Sequence, residues 1–144
     1  MGATHLLVKD WSDQEVVAGT ILGEASGELW GGQIAVACVI RNRVLHPRWW
    51  GGGWREVSIK DWQFSCWKDQ ERRICDNRAK NSPYWQTAMR AARVVMDNEA
   101  PDVTLACDHY YAWRTPEPYW AKDRFPVIEI GAHRFYRLEI PSLA

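Results

Sequence analysis

The chain is 144 residues long, and its 18 acidic side chains balance 18 basic ones. That length suits one domain able to bury roughly two-thirds of its unfolded surface. The even charge argues against a polyanion-binding protein, since nucleic-acid domains carry basic excess, and no apolar stretch reaches the roughly 18 residues that read as a transmembrane helix.

The opening residues, Met1 to Asp10, lack the basic-then-apolar layout of a secretion signal. The chain is therefore expected to start in the cytoplasm or to leave it by another route. Ser12-Asp13-Gln14-Glu15 has the form of a capping box and predicts a helix from Asp13 to about Glu24. Val17, Ala18, Ile21, Leu22 and Ala25 share one arc of that helix. If the helix continues, Glu28 falls inside the apolar arc and Glu24 on its edge, one turn apart. A buried acid needs a partner or a proton, so the pair is either a site or two solvated glutamates at a frayed helix end.

Gly31-Gly32 predicts a break. Ile34 to Ile40 is continuously apolar, which period alone cannot assign to helix or strand. Ala35, Ala37 and the continuing Val44-Leu45 favour a central buried helix, closed by Pro47. From Trp49 to Lys80 the pattern is irregular. Gly51-Gly52-Gly53 reads as a loop tip and Glu56 to Ile59 as a short turn. Gln63-Phe64-Ser65-Cys66-Trp67 carries too much apolar surface for a linker and is expected to line something. Ser65 lacks the Gly-x-Ser-x-Gly setting of an acyl-enzyme nucleophile.

Ser82-Pro83 predicts the start of the next helix, with Trp85, Ala88, Ala92, Val95 and Met96 as its core stripe and an end near Asn98. Beyond Pro101, residues 103–106 and 109–112 look extended. Phe125 to Leu138 alternates about Gly131-Ala132 and predicts a hairpin with strands near 127–130 and 134–138. The whole reads as α+β, helices first and a small antiparallel sheet last.

Ten tryptophans are a heavy excess. We assign about half to the core; the remainder suit a surface that stacks on flat ligands, such as the C–H face of a sugar ring. Cys38 sits in an apolar run and reads as a core thiol. Cys66 and Cys75 could pair in an oxidising space, and Cys66, Cys75, Cys107 and His109 could between them hold zinc. Their spacing is irregular, so free thiols and no metal are expected.

The run Ile21-Leu22-Gly23-Glu24-Ala25-Ser26-Gly27-Glu28, with Gly32-Gln33-Ile34-Ala35-Val36-Ala37 and Ile40-Arg41-Asn42-Arg43-Val44 after it, closely resembles the opening of the cell-wall hydrolase family typified by the spore-cortex-lytic enzymes (SleB-type). Gln63 to Trp67 is similar to the family's mid-domain segment. His109-Tyr110-Tyr111, Pro118-Tyr119-Trp120-Ala121 and Ile130-Gly131-Ala132-His133-Arg134-Phe135-Tyr136 resemble its C-terminal end. The likeness spans about residues 12 to 137.

That resemblance implies a lysozyme-like α+β domain, helical over its N-terminal two-thirds, which cleaves peptidoglycan glycan strands as a lytic transglycosylase or muramidase. Glu24, the first glutamate of Gly-Glu-Ala-x-Gly-Glu, becomes the catalytic acid, and Glu28 supports it. Burial against Ile21, the negative end of the preceding helix and the charge of Glu28 are expected to raise the pKa of Glu24. Gln63, Ser65, Trp67, His109, Tyr110, Tyr111 and Trp120 are the expected substrate contacts. No cofactor is required, and a monomer is expected. Two departures stand out: Ser26 replaces an arginine common in relatives, and the wall-binding module found ahead of many relatives is not seen. Substrate capture then falls to the domain itself or to a carrier particle, as in a phage lysin. The competing expectation is a non-catalytic glycan-binding or virion structural protein with the same fold.

Overall fold

In the computed structural model, which describes residues 8–25, 27–60 and 77–141, the first helix begins where its capping box places it. Ser12 Oγ accepts from the Glu15 N–H at 3.1 Å, and Glu15 Oε1 accepts from the Ser12 N–H at 2.8 Å. Helix α1 (Asp13–Ala25) is buried continuously from Val16 to Leu22. It packs against α2 (Trp30–Leu45), α3 (Trp54–Ile59) and α4 (Trp85–Met96), which leaves little of its surface to water. Trp11, Trp50 and Trp85 share this core, the first and last meeting edge to face at 5.7 Å.

Helix α2 starts at Trp30, so Gly31-Gly32 lies within its first turn and does not break the chain. The glycine at 32 is there for room: a Cβ on it would stand 2.8 Å from Glu28 Cβ. The apolar run is indeed the central helix, with Ile34 to Ile40 all buried. Its polar end is buried as well. Arg41 donates to the carbonyls of Val95 and Ala100 and to Asn98 Oδ1. Asn42 donates to Asp102 Oδ2 and the Cys107 carbonyl, both at 2.9 Å. Arg43 Nε donates to the Asp108 carbonyl at 2.7 Å. Successive helical residues point about 100° apart, so three polar residues in a row moor three parts of the 95–108 segment to α2.

Residues 54–59, expected as a turn, form the short helix α3. Helix α4 begins at Trp85 rather than Pro83. Ser82 Oγ captures the Tyr84 N–H at 3.1 Å and holds residues 82–84 in a local turn. Of the expected stripe, Trp85, Ala88, Ala92 and Val95 are buried and Met96 is half-buried. The helix ends in a Schellman motif, with Asn98 at φ 60° and the Glu99 N–H bonded to the Val94 carbonyl at 2.8 Å.

Residues 103–106 are not extended. The Asp102 carboxylate takes the N–H groups of Thr104 at 2.8 Å and Ala106 at 2.9 Å, folding a turn in which Leu105 and Ala106 hold φ of 60° and 67°. The chain then enters β1 (His109–Ala112). The expected hairpin is present as β2 (Ile128–Ile130) and β3 (His133–Tyr136). Strand β1 adds to the free edge of β3, giving the antiparallel order β1-β3-β2, with His109 opposite Tyr136 and Ala112 opposite His133. The sheet seats on α2 through Phe135, Ala35, Val39 and Cys107. Cys38 and Cys107 are buried free thiols, and burial pushes the Cys107 thiol up to about 12.

Candidate active site

Glu24 is the last residue but one of α1 and is half-buried. It stands where two depressions meet. The larger, about 910 Å³, is lined by Glu24, Trp49, His109, Tyr110, Trp120 and Glu139 among others. The smaller, about 490 Å³, includes Glu24, Glu28, Trp113, Arg114 and Gly131. Glu24, Ala112 and His133 border both, so they form one groove with the Glu24 carboxylate at its waist.

Glu28 is not one turn further along the same helix face. Helix α1 stops at Ala25, and the Glu28 N–H bonds the Ala25 carbonyl at 3.0 Å in the turn beyond it. From there the side chain reaches the β2–β3 turn. Its Oε1 accepts from the Ala132 N–H at 2.8 Å and lies 3.1 Å from His133 Nδ1. The histidine contact falls outside hydrogen-bond geometry and is an ion pair only when the ring is protonated. Burial holds the His133 ring below the usual histidine pKa, and the Glu28 charge opposes that shift. The Glu28 carbonyl also accepts from Gln33 Nε2 at 3.2 Å.

One carboxylate thus gathers three sequence blocks: the Gly-Glu-Ala-x-Gly-Glu run, Gly32-Gln33 and Gly131-Ala132-His133. Gly131 has φ +57°, and a Cβ there would collide with Glu28 Oε2 and lie 2.9 Å from Cδ. Gly131→Ala is therefore expected to cost about 1–3 kcal/mol. Gly27→Ala, where a Cβ meets nothing within 4 Å, should change stability by about 0.5 kcal/mol or less. Urea denaturation of the two variants checks the contrast.

Of the residues expected to touch substrate, His109, Tyr110, Tyr111 and Trp120 line the larger depression. Gln63, Ser65 and Trp67 lie outside the described residues, as do Cys66 and Cys75. Tyr111 is largely committed to packing: its ring stacks on Tyr136 at 6.0 Å, and its hydroxyl accepts from Arg134 at 3.2 Å.

Three wall residues, Arg43, Trp49 and Glu139, and one residue buried behind the wall, Asp108, were not nominated from the sequence. Arg43 lies over the rings of Trp49 and Trp50, at 5.7 and 5.0 Å, and burial lowers its pKa to about 10, still a cation at neutral pH. Trp49 Nε1 donates to both Glu139 oxygens, at 3.0 and 2.8 Å. Asp108 is fully buried. Burial works to raise its pKa, but donation by His109 and by the backbone N–H groups of residues 138–140 outweighs it and holds the carboxyl at about 2. Its neighbours Cys107 and His109 were read, with Cys66 and Cys75, as possible zinc ligands, and the Asp–His pair between them was passed over. Cys107 packs against Ala35, Val39 and Phe135; no group of three metal-ligating side chains occurs among the described residues. Among those residues no helix is long and apolar enough to cross a membrane.

A groove of this kind, crossing the end of a buried helix and walled by a small antiparallel sheet, belongs to the lysozyme-like class of α+β domains. The family model described as Cell Wall Hydrolase matches residues 27–136, and the chain belongs to that family. Glu24 stands just ahead of the matched span. Among solved structures, the catalytic domain of the germination-specific lytic transglycosylase SleB from Bacillus anthracis is similar at 27% identity and a TM-score of 0.68, over 87% of this chain and 93% of that one. The catalytic domain of the Bacillus cereus SleB protein shares the fold at 24% identity and a TM-score of 0.60, over 87% and 89%. No curated protein sequence is significantly similar to the chain.

Proposed function

We propose that this domain cleaves the glycan strands of peptidoglycan, with Glu24 as the one catalytic acid and a lytic-transglycosylase outcome. The observation that carries the reading is the position of Glu24 at the waist of the groove, with a depression on either side. A strand laid along that groove has sugars on both sides of the carboxyl, as cleavage within a chain requires. Membership of the cell wall hydrolase family supports the substrate class, and the similarity to a lytic transglycosylase domain supports the outcome.

The chemistry follows from the groups. Departure of the bridging oxygen through an oxocarbenium-like transition state needs a proton. Glu24 donates that proton to the leaving oxygen. The C6 hydroxyl of the same sugar then attacks its anomeric carbon and returns a proton to Glu24. The product carries a 1,6-anhydro ring, and no water is consumed. A second carboxylate acting as nucleophile is not needed. Glu28 is a poor candidate for that part, because its carboxylate already holds the Ala132 N–H and faces His133.

Mass spectrometry of peptidoglycan digested in heavy-oxygen water tests the outcome. New glycan ends should be lighter by one water than those of a hydrolysing muramidase and should carry no label. Labelled reducing ends would show that water, not the C6 hydroxyl, makes the attack.

A further inference from the structure

Asp108 and His109 form a second organised pair, with His109 on the groove wall away from Glu28 and Asp108 buried behind it. Each Asp108 oxygen accepts twice. Oδ1 takes the Leu138 N–H at 2.9 Å and faces His109 Nδ1 at 2.8 Å. Oδ2 takes the N–H groups of Glu139 and Ile140 at 2.8 and 2.7 Å. A buried carboxylate so placed is an acceptor only, so in the neutral imidazole the proton sits on Nδ1 and Nε2 keeps its lone pair.

Nε2 has no hydrogen-bond partner among the described residues, yet it is not among the enclosed unpartnered polar atoms. It opens to the larger depression, which His109 lines. The ring is held on its other sides by aromatic neighbours, with Trp120 at 4.9 Å and Trp49 at 6.3 Å between centroids. The Glu139 carboxylate on the same wall takes the Trp49 Nε1–H. The turn that delivers the pair carries two consecutive left-handed non-glycine residues, Leu105 and Ala106. Such strain persists only where the surroundings impose it, and it gathers beside functional groups.

We propose that His109, fixed by Asp108, is the hydrogen-bond acceptor for an amino sugar seated against Trp120 and Trp49. The ligand it suits has an apolar C–H face for indole and a hydroxyl or acetamido N–H to donate to Nε2. Asp108 is a positioning residue: it sets the tautomer and, through the backbone of residues 138–140, the line of the groove wall. This inference rests on the glycan reading above and specifies where that glycan is held.

The test reads binding rather than turnover. In a Glu24→Gln background, a soluble N-acetylglucosamine tetramer is titrated by calorimetry against the parent and against versions that also carry His109→Asn or His109→Gln. The asparagine amide can still donate to Asp108 from the place of Nδ1 but offers nothing at Nε2. The glutamine carbonyl reaches towards the place of Nε2. The asparagine variant is expected to stay folded at the titration temperature and to bind about tenfold more weakly, and the glutamine variant to recover most of that loss. Equal affinity for parent and asparagine variant would overturn the proposal, as would equal losses in both variants with the fold intact. A parent that binds no tetramer would instead sink the glycan reading, and this subsite with it.

Discussion

Glu24→Gln is expected to lower peptidoglycan clearing by about 10²- to 10⁴-fold, the contribution of one positioned general acid. The amide keeps the size and hydrogen-bonding reach of the carboxyl but has no proton to give. Because Glu24 is half-buried at the end of α1 and not in the core, the melting temperature should hold. Sedimentation with purified walls should show binding retained. Glu28→Gln makes the informative contrast. Its amide oxygen can still accept from the Ala132 N–H, so the hairpin stays in place and activity should fall far less. A wild-type protein that binds walls without clearing them would mark the domain as a binding module.

Asp108→Ala is expected to cost about 3–5 kcal/mol, a large part of a small domain's stability. The substitution strips the partner from three backbone N–H groups and from His109 Nδ1 at a fully buried position. The same carboxyl gives stability an acid limb. Its folded pKa of about 2 lies below the ordinary value of 3.8, so the folded state binds this proton less readily than the unfolded chain. Its contribution is complete above about pH 4 and is lost as the pH falls towards 2, a change of about 2 kcal/mol. Urea denaturation at a series of pH values should show this slope in the wild type. The alanine variant should start lower and lack that part of the slope.

How far residues announced themselves depended on how local their interactions are. The Ser12–Glu15 capping box is complete within four residues, and the structure reproduces both of its bonds. The stripe through Trp85, Ala88, Ala92 and Val95 was likewise legible, because period alone places it inside. The hairpin turn at Gly131 was legible as a turn. That its neighbour across space is Glu28, 104 residues back at the Ala132 bond, was not. Gly32 looked like a helix breaker for the same reason: the side chain that demands the gap lies in the preceding turn rather than in the helix. Residues 103–106 have strand composition, yet the Asp102 carboxylate takes two of their N–H groups and wins over that propensity.

The site divides along the same line. Glu24 could be nominated from its motif, and His109, Tyr110, Tyr111 and Trp120 through the family resemblance, and all five line the groove. Asp108, Arg43 and Glu139 were not nominated, since what fixes each in place includes a partner distant in sequence: residues 138–140 for Asp108, the Asp108 carbonyl for Arg43 and Trp49 for Glu139. The buried Arg41-Asn42-Arg43 end of α2 was visible as a motif but had no stated purpose. The structure supplies one, since these residues fix the approach to β1 and hence the wall that carries His109.

The central claim is that Glu24 delivers the proton that breaks the glycan strand. A crystal structure of the Glu24→Gln protein with a peptidoglycan tetrasaccharide tests it most directly. The side-chain amide at position 24 should lie within hydrogen-bonding reach, about 3 Å, of a bridging oxygen, with sugars filling both depressions. A strand bound with no glycosidic oxygen near residue 24, or one lying wholly to one side of it, would contradict the account.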